Sequence, residues 1–293
     1  HGTKKGLALT SDCTPRYCRA DPRRGGAQAV AEAWRNLNAV GARPLALTDC
    51  LNFGSPERPQ IMGQFVGCIE GMGEASRALD FPVVSGNVSF YTETNGAAIL
   101  PTPTIGGVGL IADVGKMVGI ALRAAGHALI LIGESAGWLG CSLYLRDLLG
   151  RDEGAPPPVD LAAERRNGEL VRDLIDQRRV SSCHDVSDGG LFVALAEMAL
   201  AGDMGATITP PADGPRDPAA LNAWLFGEDQ GRYLIATAEP DPVLAAAGAA
   251  GVAARPIGVT GARSLKLAGL GAISLRRLRK AHEGWLPAYM AAP

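Results

Sequence analysis

The sequence predicts two α/β (α+β) domains, joined near residue 115 as units 1–115 and 116–293. Three observations lead there. The chain has 293 residues, long for one domain, and 47% of them are apolar, enough for a sizeable buried core. Short apolar runs that end in polar residues alternate with longer segments of 3–4 apolar spacing, as strands and helices do. A fresh alternation of the same kind then starts after residues 113–116.

Taken in order, residues 6–11 are an apolar run ending in Asp12 and predict a strand. Residues 13–26, rich in Pro, Arg and Gly, predict a loop. Residues 27–40 predict a helix, because Val30, Ala33, Trp34, Leu37 and Val40 share one face. A strand over 45–48 ends at Asp49, a loop follows to Pro59, and a long helix covers 61–79. Strands over 82–85, leading into Gly86-Asn87, and over 105–112 complete the first unit. In the second, strands are predicted over 127–132, 181–184, 232–237 and 254–259. Helices are predicted over 141–149, 161–179 (with Leu170, Leu174 and Ile175 as its buried stripe), 189–201 and 242–250.

Composition narrows the function. Lys plus Arg number 28 against 30 Asp plus Glu, so a general polyanion binder such as a nucleic-acid protein is not expected. The most apolar stretch, 117–133, is interrupted by Arg123 and His127, which argues against a membrane span. No N-terminal segment has the order of a signal peptide. Six scattered cysteines without a C-x-x-C pair, beside four histidines, point to reduced thiols in a cytoplasmic protein rather than a zinc cluster. Opening at His1 rather than Met, the chain is expected to be cut from a longer one.

Chemistry concentrates at strand ends. Asp12, Asp49 and Asn87 each follow an apolar run, and Glu93 lies nearby. Oxygen donors gathered at one sheet rim suit Mg²⁺ or a nucleotide; equally, Asp and Asn cap turns and helices. Gly86 permits close approach of a ligand to the backbone, and Asn87 and Ser89 share a face if extended. Asn95-Gly96 is a hairpin-turn pair. His184-Asp185-Val186-Ser187-Asp188-Gly189-Gly190 precedes an apolar helix, so its amides suit a phosphate. The alternative is Asp188 as a helix cap and His184 as a satisfied core residue. Arg16, Arg19, Arg23 and Arg24 fit either a phosphate or a solvated loop, and 226–232 either a ligand or a turn. No Walker A or G-x-G-x-x-G motif occurs, and neither Cys50 nor Cys183 has a base partner for thiol catalysis.

Cys13-Thr14-Pro15-Arg16-Tyr17, Thr48 to Gly54, Pro56 to Pro59, Gly86 to Ser89 with Glu93 to Gly96, Pro101 to Pro103, His184 to Leu191, and Leu225 to Glu228 together resemble phosphoribosylformylglycinamidine synthase. The resemblance runs from about Thr3 to about Pro287 and is to the C-terminal half of the small-type synthetase subunit. It implies the aminoimidazole ribonucleotide synthetase-like fold, with an N-terminal sheet that pairs into a barrel-like dimer or pseudo-dimer and a C-terminal α/β domain. It implies a ligase of purine synthesis that uses ATP, Mg²⁺ and glutamine-derived ammonia to convert formylglycinamide ribonucleotide into formylglycinamidine ribonucleotide. Asp49 and Gly86 match nucleotide-contacting positions, Asn87 a Mg²⁺ ligand and Ser89 a substrate contact. Thr92 stands where the pattern expects Asn. The family's catalytic His and most Mg²⁺-binding acids belong to the N-terminal half, and His1 is too near the cut to replace them. The expected partners are that half, a glutaminase subunit, a small accessory subunit, and a second copy of the chain. Two alternatives stand: a non-catalytic nucleotide-binding or docking module, and a free-standing kinase or synthetase of the same superfamily.

Overall fold

The computed structural model describes residues 2–211, 214–215 and 217–291; His1 lies outside them. The first part of the chain forms β1 (Gly6–Asp12), α1 (Pro15–Ala20), α2 (Pro22–Ala39), β2 (Arg43–Asn52), α3 (Pro59–Ala78) and β3 (Val83–Ser89). The short hairpin β4 (Glu93–Thr94) and β5 (Ala97–Ala98) follows, then β6 (Thr102–Ile111). The remainder forms β7 (Ala128–Ile132), a π-helical turn at Tyr144–Leu148, α4 (Leu161–Asp176), β8 (Ser182–Val186), α5 (Gly190–Gly202) and β9 (Ala206–Ile208). It closes with α6 (Pro218–Phe226), β10 (Arg232–Thr237), α7 (Pro240–Ala249), β11 (Ala254–Thr260), β12 (Ser264–Leu267), β13 (Gly271–Ser274) and α8 (Leu275–Met290).

The stretch 13–26, expected as a loop, is helical. Pro15 and Pro22 occupy first-turn positions, where a missing N–H is no loss. Asp21 caps α2 by accepting from the Arg24 amide at 3.1 Å. The glycines here serve contact between helices rather than turns. A Cβ on Gly26 would lie 2.3 Å from the Cys68 carbonyl oxygen, and one on Gly71 would lie 1.9 Å from that of Arg23. Gly71→Ala therefore forces α2 and α3 apart, and is expected to cost about 1–3 kcal/mol in urea unfolding. Gly63→Ala in the same helix meets nothing within 4 Å. It is expected to gain up to about 1 kcal/mol from helix propensity.

The first sheet has the order β1-β6-β2-β3, with β2 and β3 parallel and the other pairs antiparallel. One face packs on α2 and α3 through Val30, Trp34, Leu37, Leu47, Leu51, Phe81 and Ile105. The other face leaves Leu7 and Leu9 open, 70% and 79% exposed. The barrel-like pairing implied by the resemblance is corrected here: the sheet is open, its edge strands β1 and β3 each bonded on one side only. Four strands are too few to close around a core, so helices cover one face instead.

The second sheet has the order β13-β12-β9-β11-β7-β10-β8. Helices lie on both faces, α5, α6 and α8 with one core, α4 and α7 with the other. Leu170, Leu174 and Ile175 are buried, as the α4 stripe predicts. The helix expected over 141–149 is reduced to the π-helical turn. Cys141 has φ 58°, and its amide bonds the Glu153 carbonyl, so this segment folds back on itself instead of extending a helix. The two sheets meet through α2 and α4, where Gly168 lets the Trp34 ring approach so closely that a Cβ there would lie 2.3 Å from it. All six cysteines are free thiols. Among the described residues no helix is long and apolar enough to cross a membrane.

Candidate functional site

Asp49, Gly86, Asn87 and Ser89 lie on two adjacent strands. Asp49 does not end a short strand as expected, because β2 runs on to Asn52 and pairs with β3 in parallel, Asp49 opposite Gly86 and Asn52 opposite Ser89. Alternation then divides the four residues. Asp49 stands between buried Leu47 and Leu51 on the helix-covered face. Asn87 and Ser89 share the opposite face, Asn87 Nδ2 donating to Ser89 Oγ at 3.2 Å.

Glycine is required at 86. A Cβ there would sit 2.4 Å from Asp49 Oδ1, so the carboxylate leans over the bare backbone of β3. The Asn87 amide bonds this carboxylate, but burial outweighs it and pushes the Asp49 pKa up. β3 is an edge strand exposed through most of its length, so these groups face a surface rather than a closed pocket. Asn87 spends its amide N–H on Ser89, which leaves its carbonyl oxygen for a cation. That fits one place on a Mg²⁺ that keeps several waters and takes phosphate oxygens. Among the described residues no group of three or more His, Cys, Asp or Glu is arranged to hold a metal, so this strand offers a single donor rather than a full ligand set.

Glu93, weighed as a metal donor, is otherwise engaged. It accepts from the Ser55 amide at 3.3 Å and from Arg58 at 3.4 Å, tying the loop after β2 to the β4–β5 hairpin. Asn95 and Gly96 turn that hairpin with φ 51° and 77°, the turn their pairing predicts.

The motif at 184–190 takes its place through a residue far away in sequence. Glu228, fully buried, accepts from Tyr17 Oη at 2.5 Å and from the Leu143 and Gly189 amides at 2.8 Å each. Three of the quoted motifs thus converge on one carboxylate. The amide at the start of α5 that suited a phosphate is bonded to Glu228. Asp188 does not cap α5; it accepts from Arg16 at 3.1 Å.

Residue-by-residue reading missed a buried polar layer between the two sheets. Arg35, wholly buried, donates to Glu164 at 2.8 Å and Gln230 at 3.0 Å, with Asp185 at 3.7 Å. Gln28 also bonds Gln230, at 3.2 Å, and bonds Glu32. The signal was present: Gln28, Glu32 and Arg35 make a polar stripe at helical spacing on a helix whose other buried positions are mostly apolar or Gly.

Asp12, bonded by Asn36 Nδ2 at 2.5 Å, borders this layer. Burial first, then the charge of Asp185, raises its pKa to about 7 against the pull of Arg35. His184 sits between Asp185 at 3.1 Å and Glu197 at 2.9 Å. Burial draws its pKa down, but bonds to Asp185 and Glu197 outweigh that and raise it to about 9. The folded chain therefore holds protons on Asp12 and His184 that the unfolded chain has lost. Stability from Asp12 is lost as pH rises from near 4 through about 7, and that from His184 as pH rises from near 6.5 through about 9. Melting curves across pH 4–9 are expected to show Asp12→Asn flattening the lower part of this fall and His184→Gln the upper.

This is a two-domain α/β fold, and the chain belongs to the AIR synthase related family. The N-terminal domain of that family matches residues 1–111 and the C-terminal domain residues 124–268. More narrowly, the chain corresponds to the C-terminal region of PurL-like synthetases. It is 63% identical over 290 residues to phosphoribosylformylglycinamidine synthase subunit PurL of Methylocella silvestris, covering 98% of this chain and 39% of the relative. To the same subunit of Rhodospirillum rubrum it is 62% identical over 293 residues, with the same coverage. Among solved structures, T. maritima PurL complexed with FGAR superposes with a TM-score of 0.78 at 20% identity, over 94% of this chain and 46% of that one. The chain thus spans 39% of the length of the curated relatives it matches.

Proposed function

We propose that this chain contributes the C-terminal half of a formylglycinamidine ribonucleotide synthase, an ATP-dependent C–N ligase of purine synthesis. The division at residue 115 separates a unit 1–115 that meets nucleotide and substrate from a unit 116–293 that supports it. ATP activates the amide oxygen of formylglycinamide ribonucleotide as an iminophosphate, and ammonia displaces phosphate. Asp49 and Gly86 line the nucleotide, and Ser89 touches the substrate. Asn87 would hold Mg²⁺ in part, and the bound ion would supply neutralisation of charge on the phosphates.

The observation that carries this reading is an open edge strand with the Asp49–Gly86 contact on its helix side and the Asn87–Ser89 pair on its other face. Such a surface offers oxygen donors and bare backbone without walls, as half of a shared site does. The N-terminal half of the enzyme supplies the catalytic His and the remaining acids, and alone this chain is inactive. A glutaminase subunit and a small accessory subunit complete the cytoplasmic assembly. The open apolar face around Leu7 and Leu9 is covered there by the rest of the synthetase.

Asn87→Ala in the full-length synthetase tests the reading. The Mg²⁺ concentration for half-maximal turnover is expected to rise about tenfold, the loss of one charge-assisted ligand. Unchanged turnover and Mg²⁺ dependence would leave only a docking role for this strand.

A further inference from the structure

A cavity of about 460 Å³ opens at the end of the second sheet where β7 and β8 begin and β10 finishes. Asp185 and the buried polar layer lie toward the opposite end of β8. No residue of the β2–β3 strand pair lines this cavity. It is a separate place on the molecule, and the proposed ligase activity makes no use of it.

Its lining is cationic. Arg123, Arg178, Arg179, Lys116 and His127 face it, with Glu239 the one carboxylate among the lining residues. Some of that charge is already matched: Lys116 is held by Asp176 at 2.7 Å, and Arg178 donates to the Gly115 carbonyl at 3.0 Å. Arg123 and Arg179 have no ion-pair partner among the described residues. Two guanidiniums at one cavity, neither of them ion-paired and with a single carboxylate on the lining, can take an anion by forked, charge-assisted bonds.

His127 adds a directed group. Its Nδ1 lies 2.8 Å from Ser181 Oγ, and that hydroxyl donates its proton to the Ala236 carbonyl at 3.0 Å. The hydroxyl has only one proton, so Nδ1 must be the donor in this contact. The ring is thereby oriented, and Nε2 is left for another partner. Met117, Val118 and Val180 give the lining an apolar side, with Met117 46% exposed. A cavity of this size with a few convergent polar groups on an apolar wall has the proportions of a small-molecule site.

We propose that this cavity binds a phosphomonoester, its phosphate between Arg123, Arg179 and His127 and its organic body against Met117 and Val180. The guanidiniums give forked, charge-assisted bonds to phosphate oxygens, and the apolar wall favours an ester over the bare ion.

Calorimetric titration of the chain with phenyl phosphate, which has no nucleoside to engage Asp49 or Gly86, tests this. Inorganic phosphate serves as the comparison. Saturable binding is expected, tighter for the ester, and weakened about tenfold or more by Arg123→Ala with Arg179→Ala, as loss of two charge-assisted bonds requires. Because neither arginine is ion-paired, the melting temperature of the double variant without ligand is expected to match that of the parent. Binding is also expected to survive Gly86→Ala, which separates this site from the one on β2 and β3. Absence of binding, equal affinity for phosphate and ester, or full affinity in the double variant would each overturn the proposal.

Discussion

Gly86→Ala is expected to lower kcat/KM for ATP about 100-fold in the assembled synthetase while leaving the fold nearly untouched. The new methyl group would lie 2.4 Å from Asp49 Oδ1, so one of the two must move. The backbone of β2 is held by pairing on both sides, whereas the carboxylate is the free end of a side chain. The carboxylate therefore rotates away. Displacing a positioned group by an ångström is enough for a loss of that size. Since β3 is an exposed edge, the melting temperature should change little. Circular dichroism melts beside steady-state kinetics check both halves of the prediction. A large fall in melting temperature, or full activity, would show that Asp49 does not rest on Gly86 in the working enzyme.

Arg35→Met is expected to have the largest effect on stability, about 3–5 kcal/mol by urea unfolding. Arg35 is wholly buried, and its loss leaves Glu164, 1% exposed, without its 2.8 Å partner. Breaking a buried pair on one side costs this much because the remaining charge stays desolvated. Adding Glu164→Leu should recover part of the loss, since it removes the stranded carboxylate as well. If the double variant is no more stable than the single, the energy resides elsewhere in the layer, in Gln230 or Asp185.

Much of the fold was legible along the chain. β1, β7, β10 and β11, and the helices α3, α4, α5 and α7, fall close to the runs that predict them. Their patterns are local, one apolar face repeated at the spacing of a strand or helix. Of the elements not predicted, β9, β12, β13 and α6 are short, and α8, amphipathic as it is, stays largely exposed at the end of the described chain. The stretch 13–26 was misread because its prolines and glycines signal a loop locally. Their actual roles, starting two helices and letting helix backbones touch, depend on Cys18 and Cys68 lying opposite.

The two successive α/β patterns, the Asn95-Gly96 hairpin and the adjacency of Gly86, Asn87 and Ser89 follow from the order of residues alone, because each depends on near neighbours. Packing in three dimensions set the rest. It left the first sheet open rather than closed, laid Asp49 over Gly86, and gathered Tyr17, Leu143 and Gly189 on Glu228. It also buried Arg35 against Glu164 and left Arg123 beside Arg179 at the edge of a cavity. These outcomes bring together residues far apart in the chain, and no spacing rule spans such a distance. What sets them is the packing of one element on another, which fixes the charges that are shielded, the edges that stay unpaired and the places where a side chain has no room.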